Sequence, residues 1–232
     1  MPVTLNGERK SGTGTSAGTT ITFSPASNCT AGNTIYLCFL VVGAAGATAV
    51  SDGTNVWTGD MLLTSGGRCI SVWASYQATG LTTSSVVTVT MPTTVGYAYW
   101  LEEFNGNYSA VDVQATSTGS NVTSLPTGTT AATATADELA LAVYSTNTPA
   151  GTITKNASYT NFTTGEQTAP STQDGLFSYR ILSATGTQNA DGTDSSMVNS
   201  LNGVVTYKAV ATVTIPPLPL YVDTAVMQST SR

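Results

Sequence analysis

Apolar and polar positions alternate in short runs along this chain, and Gly, Pro, Asn, Asp and Ser punctuate them. Residues 34–42 (TIYLCFLVV) form the strongest run. It is continuously apolar, which predicts a strand buried on both faces. Residues 20–24, 69–76 and 85–91 alternate and predict strands, the last stopping at Pro92. In 69–76 the alternation puts Val72, Ala74 and Tyr76 on one face. Residues 96–104 (GYAYWLEEF) form another strand, closed by the turn Asn105-Gly106. Short strands at 48–51 and 56–58 flank the turn Asp52-Gly53-Thr54-Asn55. Beyond residue 110, strands are expected at 111–115, 152–154, 158–164, 176–182 and 204–210, weakly at 131–136, with a loop over 117–128. Residues 137–145 (DELALAVYS) have helical propensity, but the run is short and leads into Asn147 and Pro149, which favours a strand.

The second set of runs resembles the first at an offset of roughly one hundred residues. Residues 33–37 match 137–141, 55–59 match 161–165, 71–73 match 177–179, and 86–90 match 204–207. Two copies are too few for a solenoid. The expectation is an all-β protein: one antiparallel, jelly-roll-like β-sandwich built of two similar halves. Residues 1–18 are rich in Gly, Ser and Thr and read as an extended arm or a loosely attached first strand. Residues 19–214 form the sandwich domain. Residues 215–232 read as an extended tail, because Pro216, Pro217 and Pro219 cannot join a central strand. Its apolar residues Ile215, Leu218, Leu220 and Tyr221 suit either a partner surface or the chain's own domain.

The chain has 232 residues, enough for one large β domain with a sizeable core. Only 9% of them are charged, against about 25% in an ordinary soluble domain. Thr and Ser fill the polar positions, and β-branched Thr suits strands. A net charge of −6 and seven scattered basic residues argue against nucleic-acid binding and against a polybasic membrane patch. The N-terminal residues lack the apolar segment of a secretion signal, and the apolar run 35–45 is too short to span a bilayer. Yet the composition resembles that of extracellular β proteins. Release by lysis, as for a virus particle made in the host cytoplasm, reconciles the two.

Candidate chemistry is sparse. With no histidine in the chain, Ser-His-Asp and Cys-His catalysis and the commonest metal ligand are absent. Cys29, Cys38 and Cys69 lack metal-site spacing and read as small core residues, with a Cys29–Cys69 or Cys38–Cys69 bridge as the alternative. Glu102 and Glu103 point to opposite faces of their strand. The one facing inward needs a partner, for which Arg68 or Arg180 are candidates. Asp52 and Asp60 flank Trp57, and Asp191-Gly192-Thr193-Asp194 resembles a fragment of a calcium loop; both groups read as turn chemistry. Trp57, Trp73 and Trp100 are candidate ligand-facing aromatics for a sugar platform, against a core role. No cofactor is expected.

The segments VSDGTNVWT (50–58), VWA (72–74), VTVT (87–90) and EFNG (103–106) together resemble a group of β-sandwich virion proteins of tailed bacteriophages. The resemblance spans roughly residues 20–210. It implies a non-enzymatic structural protein on the virion surface: a capsid decoration or head-surface protein, with a minor tail protein or carbohydrate-binding adhesin as the alternative. It also implies other virion proteins as partners and a homo-oligomer, with a host-surface glycan for the adhesin. It supplies no catalytic residue. The anchoring segment would be Ile215, Pro216, Pro217, Leu218, Pro219, Leu220 and Tyr221.

Overall fold

Continuous apolarity at residues 34–42 places that strand at the centre of the fold. The structure, a computed structural model, describes residues 4–43, 45–106, 108–147, 151–170 and 173–210. The expected anchoring tail, 215–232, lies outside the described residues. All secondary structure described is β. The first half carries β1 (Leu5–Thr15), β2 (Thr20–Phe23), β3 (Thr34–Val42), β4 (Ala49–Ser51), β5 (Thr58–Ser65), β6 (Arg68–Ser75), β7 (Val87–Thr90) and β8 (Gly96–Phe104). The second half carries β9 (Tyr108–Leu125), β10 (Leu139–Thr146), β11 (Ile153–Thr154), β12 (Thr160–Asn161), β13 (Gln167–Ala169), β14 (Gln173–Ile181) and β15 (Gly192–Ala209).

The strands form three antiparallel sheets, where two were expected. A five-stranded sheet runs β1-β8-β3-β6-β5, and a three-stranded sheet runs β2-β7-β4. The seven-stranded sheet runs β11-β15-β10-β14-β12, with β13 also on β14 and β9 on the other side of β15. Val205 shows this arrangement, pairing with Gln114 of β9 and Leu141 of β10.

The five-stranded sheet is the middle layer. Ile35, Leu37, Phe39 and Val41 of β3 meet Val50, Val87 and Val89 of the small sheet. Tyr36, Cys38 and Leu40 meet Leu139, Leu141, Val143 and Phe177 of the large sheet. Alternation by twos therefore sends one strand into two separate cores. The outer face of the large sheet presents Ala140, Ala142 and Tyr144, and loop residues Tyr159, Leu182 and Ala190 close over it.

The sequence-based strands at 34–42 and 96–104 have the observed bounds. Three differences have physical causes. Residues 5–15 form a full edge strand along β8, because tyrosine rings cover its glycines: Gly12 lies opposite Tyr99 and Gly14 opposite Tyr97. A β-carbon at Gly12 would sit 3.0 Å from the Tyr99 ring, and one at Gly14 would sit 2.8 Å from the Tyr97 hydroxyl. The expected loop at 117–128 is largely strand, since β9 continues to Leu125. Its alternating exposure needs hydroxyls rather than apolar side chains, so it reads as a loop by composition. Strand β5 begins where a three-residue strand was expected to end, and residues 56–57 lie outside any strand.

Matching of 86–90 with 204–207 does not carry into space. Strand β7 belongs to the small sheet, and 204–207 belong to β15 in the large one. Of residues 131–136, Ala132 makes an isolated bridge to Thr187.

Aromatic packing between the middle and large sheets dominates the second core. Phe177 is fully buried, 4.8 Å from Trp100 and 6.2 Å from Phe162 by ring centroids. Phe177→Ala is expected to lower unfolding free energy by about 3–5 kcal/mol in chemical denaturation. Thr116→Ala, on the exposed face of β9, is expected to change it by less than about 0.5 kcal/mol.

Candidate functional site

The three tryptophans do not share a surface. Trp57 follows the Asp52 turn and donates through Nε1 to Asp52 Oδ2 at 2.8 Å. Asp52 also accepts from the backbone N–H groups of Thr54 (2.8 Å) and Asn55 (2.7 Å). Burial raises the pKa of Asp52, but hydrogen bonds from Asn55, Trp57 and Thr54 outweigh it and hold the carboxylate below its ordinary range. Asn55 Oδ1 then accepts from Thr79, tying this turn to the next loop. Trp73 lies over Gly59, where a β-carbon would come within 3.3 Å of the ring. Both rings pack against the core on the small-sheet side. Trp100 is fully buried on the opposite face of the middle sheet and donates to the Gly165 carbonyl at 3.0 Å. A platform of all three is thus excluded by the pleat: Trp73 and Trp100 point to opposite faces, and Trp100 is core.

Glu102 and Glu103 do face opposite ways, and both are buried. The partner of Glu103 is neither Arg68 nor Arg180. Arg9 Nε donates to it at 2.6 Å. Asn6 Nδ2 and the Thr30 N–H donate at 2.9 Å, and Asn33 Nδ2 also donates. Burial raises the Glu103 pKa, and these hydrogen bonds overcome it and bring the pKa below the ordinary value. This carboxylate joins β1, the loop before β3 and β8.

Glu102 faces the large sheet. Burial, reinforced by the charge of Glu8, pushes its pKa up to about 8, opposed in part by the Thr163 N–H and Arg9. Glu8 is its cross-strand neighbour. Glu8 accepts from Ser11 Oγ at 2.9 Å and from the Thr164 N–H at 2.9 Å, and so holds a loop of the large sheet.

Asp60 is not part of the Asp52 turn. It accepts from the Tyr76 hydroxyl at 2.7 Å. Burial pushes its pKa up to about 6, and Tyr76 and Tyr207 oppose that rise. Asp191 and Asp194 were expected in turn chemistry, but Asp191 ties its loop to the distant Thr127 and Asp194 is buried within β15 opposite Ile153. Asp191 Oδ1 accepts from the Thr127 N–H and Asp194 Oδ1 from the Ser196 N–H, each at 2.8 Å. Among the described residues no group of three or more His, Cys, Asp or Glu side chains is arranged to hold a metal ion. Cys29, Cys38 and Cys69 are buried free thiols, so neither anticipated bridge forms. Cys38 and Cys69 enter different cores.

A polar recess of about 310 Å³ opens at one end of the seam between the middle and large sheets. The β5–β6 turn contributes Gly66 and β6 begins with Arg68, β9 contributes Gly119 and Ser120, Asn147 follows β10, and Asn199 lies within β15. Arg68 Nη1 donates to the Asn199 carbonyl at 2.6 Å. The β9–β15 register shifts between Val198 and Ser200, which kinks β9 at this wall. Sequence reasoning offered Arg68 only as an ion-pair partner. The Gly66-Gly67 dipeptide before it was the available sign of a tight turn beside a charge.

No family model, curated protein or solved structure matches this chain.

Glu102 has a raised pKa, so its effect on stability has a definite sign. Below its unfolded value, about 4.3, it is protonated in both states. As pH rises, the unfolded chain loses this proton first, while the folded chain keeps it to about 8. Its contribution to stability is therefore lost across that window. Glu103 acts in the opposite sense: its contribution is present above the unfolded value and is lost as pH falls through the lower folded value. Glu102→Gln is expected to flatten the fall in stability between about pH 5 and 8 and to exceed the parent in stability at pH 8. Urea melts across that range check this, and an unchanged slope would contradict it.

Proposed function

We propose that this chain is a non-enzymatic structural protein on the surface of a tailed-phage virion, most simply a capsid decoration protein anchored through its C-terminal tail. The observation carrying this reading is that two large antiparallel sheets stack on each other, and we read their strand orders as two related halves. In the first half the order is β1-β8-β3-β6-β5. In the second, β9, β15, β10, β14 and β12 occupy the corresponding places. Residues 34–42 thus correspond to 139–146, and 68–75 to 173–181. Sheets stacked in this way give a module with two well-packed interfaces, suited to a spacer or cover.

The polar chemistry supports the same reading. Asp52 closes a turn, Glu103 ties strands together, and Glu102 is closed over by the second sheet. Glu8 and Glu102 adjoin each other across one strand pair, but a glycosidase pair needs a substrate between two accessible carboxyls. Strand β9 offers a long, hydroxyl-rich edge for a second copy of the chain, in keeping with a symmetric oligomer. A second reading, an adhesin for a host-surface glycan, is favoured by the polar recess beside Arg68.

Cryo-electron microscopy of the purified particle tests the leading reading. Density for the chain on the capsid lattice is expected. Density only at the tail tip would shift the reading to adhesion, and particles lacking the chain would end it. Truncation after Thr214 is expected to leave the melting temperature unchanged and to remove the chain from particles. Retention of the truncated chain at full occupancy would sink the anchoring role of residues 215–221.

A further inference from the structure

Arg68 is only 7% exposed. Ion pairs among the described residues join Arg9 to Glu103 and Lys208 to Asp112, and none involves Arg68. Burying a cation without a counter-charge is strongly unfavourable. A guanidinium has five N–H donors, and the Asn199 carbonyl engages Nη1. Arg68 also lines the recess, where it is the only charged side chain among the described residues.

The rest of the wall is hydroxyl, amide and glycine. Ser120 and Thr118 are exposed at the kink of β9. Gly66 has φ +58°, a left-handed conformation that leaves this wall without a side chain. Among the described residues, no aromatic or large apolar side chain lines the space. Its volume, about 310 Å³, lies at the lower end of small-ligand sites. One buried cation ringed by hydroxyls and amides matches a ligand with one carboxylate and several hydroxyls. A long polyanion fits poorly, because the chain's net charge of −6 repels it.

We infer that the recess at the Arg68 end of the sheet seam binds a small hydroxylated carboxylate, an acidic sugar of monosaccharide size. Arg68 holds the carboxylate in a two-pronged contact, and the hydroxyls of Thr118 and Ser120 meet those of the sugar. This assignment gives the adhesin reading a ligand class but does not depend on where the chain sits in a particle.

The test is a titration of the full chain with glucuronate, followed by amide NMR, with glucose as the uncharged control. Glucuronate is expected to shift the Gly66 and Gly119 amides with single-site behaviour, and glucose to bind at least about tenfold more weakly. Arg68→Gln is expected to weaken glucuronate binding at least about tenfold. Because Arg68 is buried, Ser120→Trp provides a second variant that fills the mouth of the recess from an exposed position. It is expected to abolish binding with an unchanged melting temperature. No shifts at Gly66 and Gly119 in the tens-of-millimolar range would overturn the inference. So would equal binding of glucose, or full binding by a folded Arg68→Gln or Ser120→Trp variant.

Discussion

Burial of the middle sheet on both faces is the constraint from which the rest follows. A sheet covered on one side can alternate apolar with polar residues, whereas a sheet covered on both must be apolar throughout its centre. Strand β3 meets that demand along almost its whole length. Its neighbours β6 and β8 meet it less completely, and the polar groups they carry into the cores are the ones under tension. Glu102 and Glu103 show the two outcomes. Glu103 gathers four donors and stays charged, whereas Glu102 meets the apolar face of a second sheet and is driven toward its neutral form.

Edges pose the converse problem. Strands β1 and β5 flank the middle sheet and carry glycines where they meet the aromatics of β8 and β6. Tyr99, Tyr97 and Trp73 lie over Gly12, Gly14 and Gly59. A glycine loses more backbone freedom on pairing than any other residue, and ring burial over the bare backbone offsets that cost. The same rings are thereby committed to structure. This is why Trp73 and Trp100 do not share one exposed face. Trp57 is committed in another way, since its indole N–H completes the hydrogen-bond set of Asp52.

This division explains what could be read from sequence. Periodicity exposed β3 and β8, because burial on both faces leaves a plain apolar run. It also exposed the opposite facing of Glu102 and Glu103, a direct consequence of the pleat. Residues 111–115 were legible as strand, but the continuation of β9 to Leu125 escaped, because an edge strand with Thr and Ser on its open face has the composition of a loop. The third sheet escaped because a run such as residues 85–91 specifies which of its own faces is apolar, not which sheet will cover it. The Arg9–Glu103 pair spans 94 residues of sequence and depends on register between β1 and β8. No local pattern encodes such a pair. Arg68 was visible as a charge in an apolar context, but its lack of a carboxylate partner emerges only when the sheets are stacked.

The location of that arginine follows from the same stacking. Two sheets packed face to face must part at their ends, where the twist carries their strands away from each other. At the other end of β3 the loop around Thr163 and Thr164 reaches Glu8 and fills the seam. At the Arg68 end the β5–β6 turn carries two glycines, and β9 kinks in the register shift beside Ser200. Neither element supplies a large side chain there, so the seam stays open just where a cation is buried. An arginine placed only to hold two sheets together would be better served by a carboxylate on the facing strand than by the carbonyl of Asn199. The selection of a carbonyl for one prong and a hydroxyl-lined opening beside the guanidinium favours a site arranged for an incoming anion over a structural clamp.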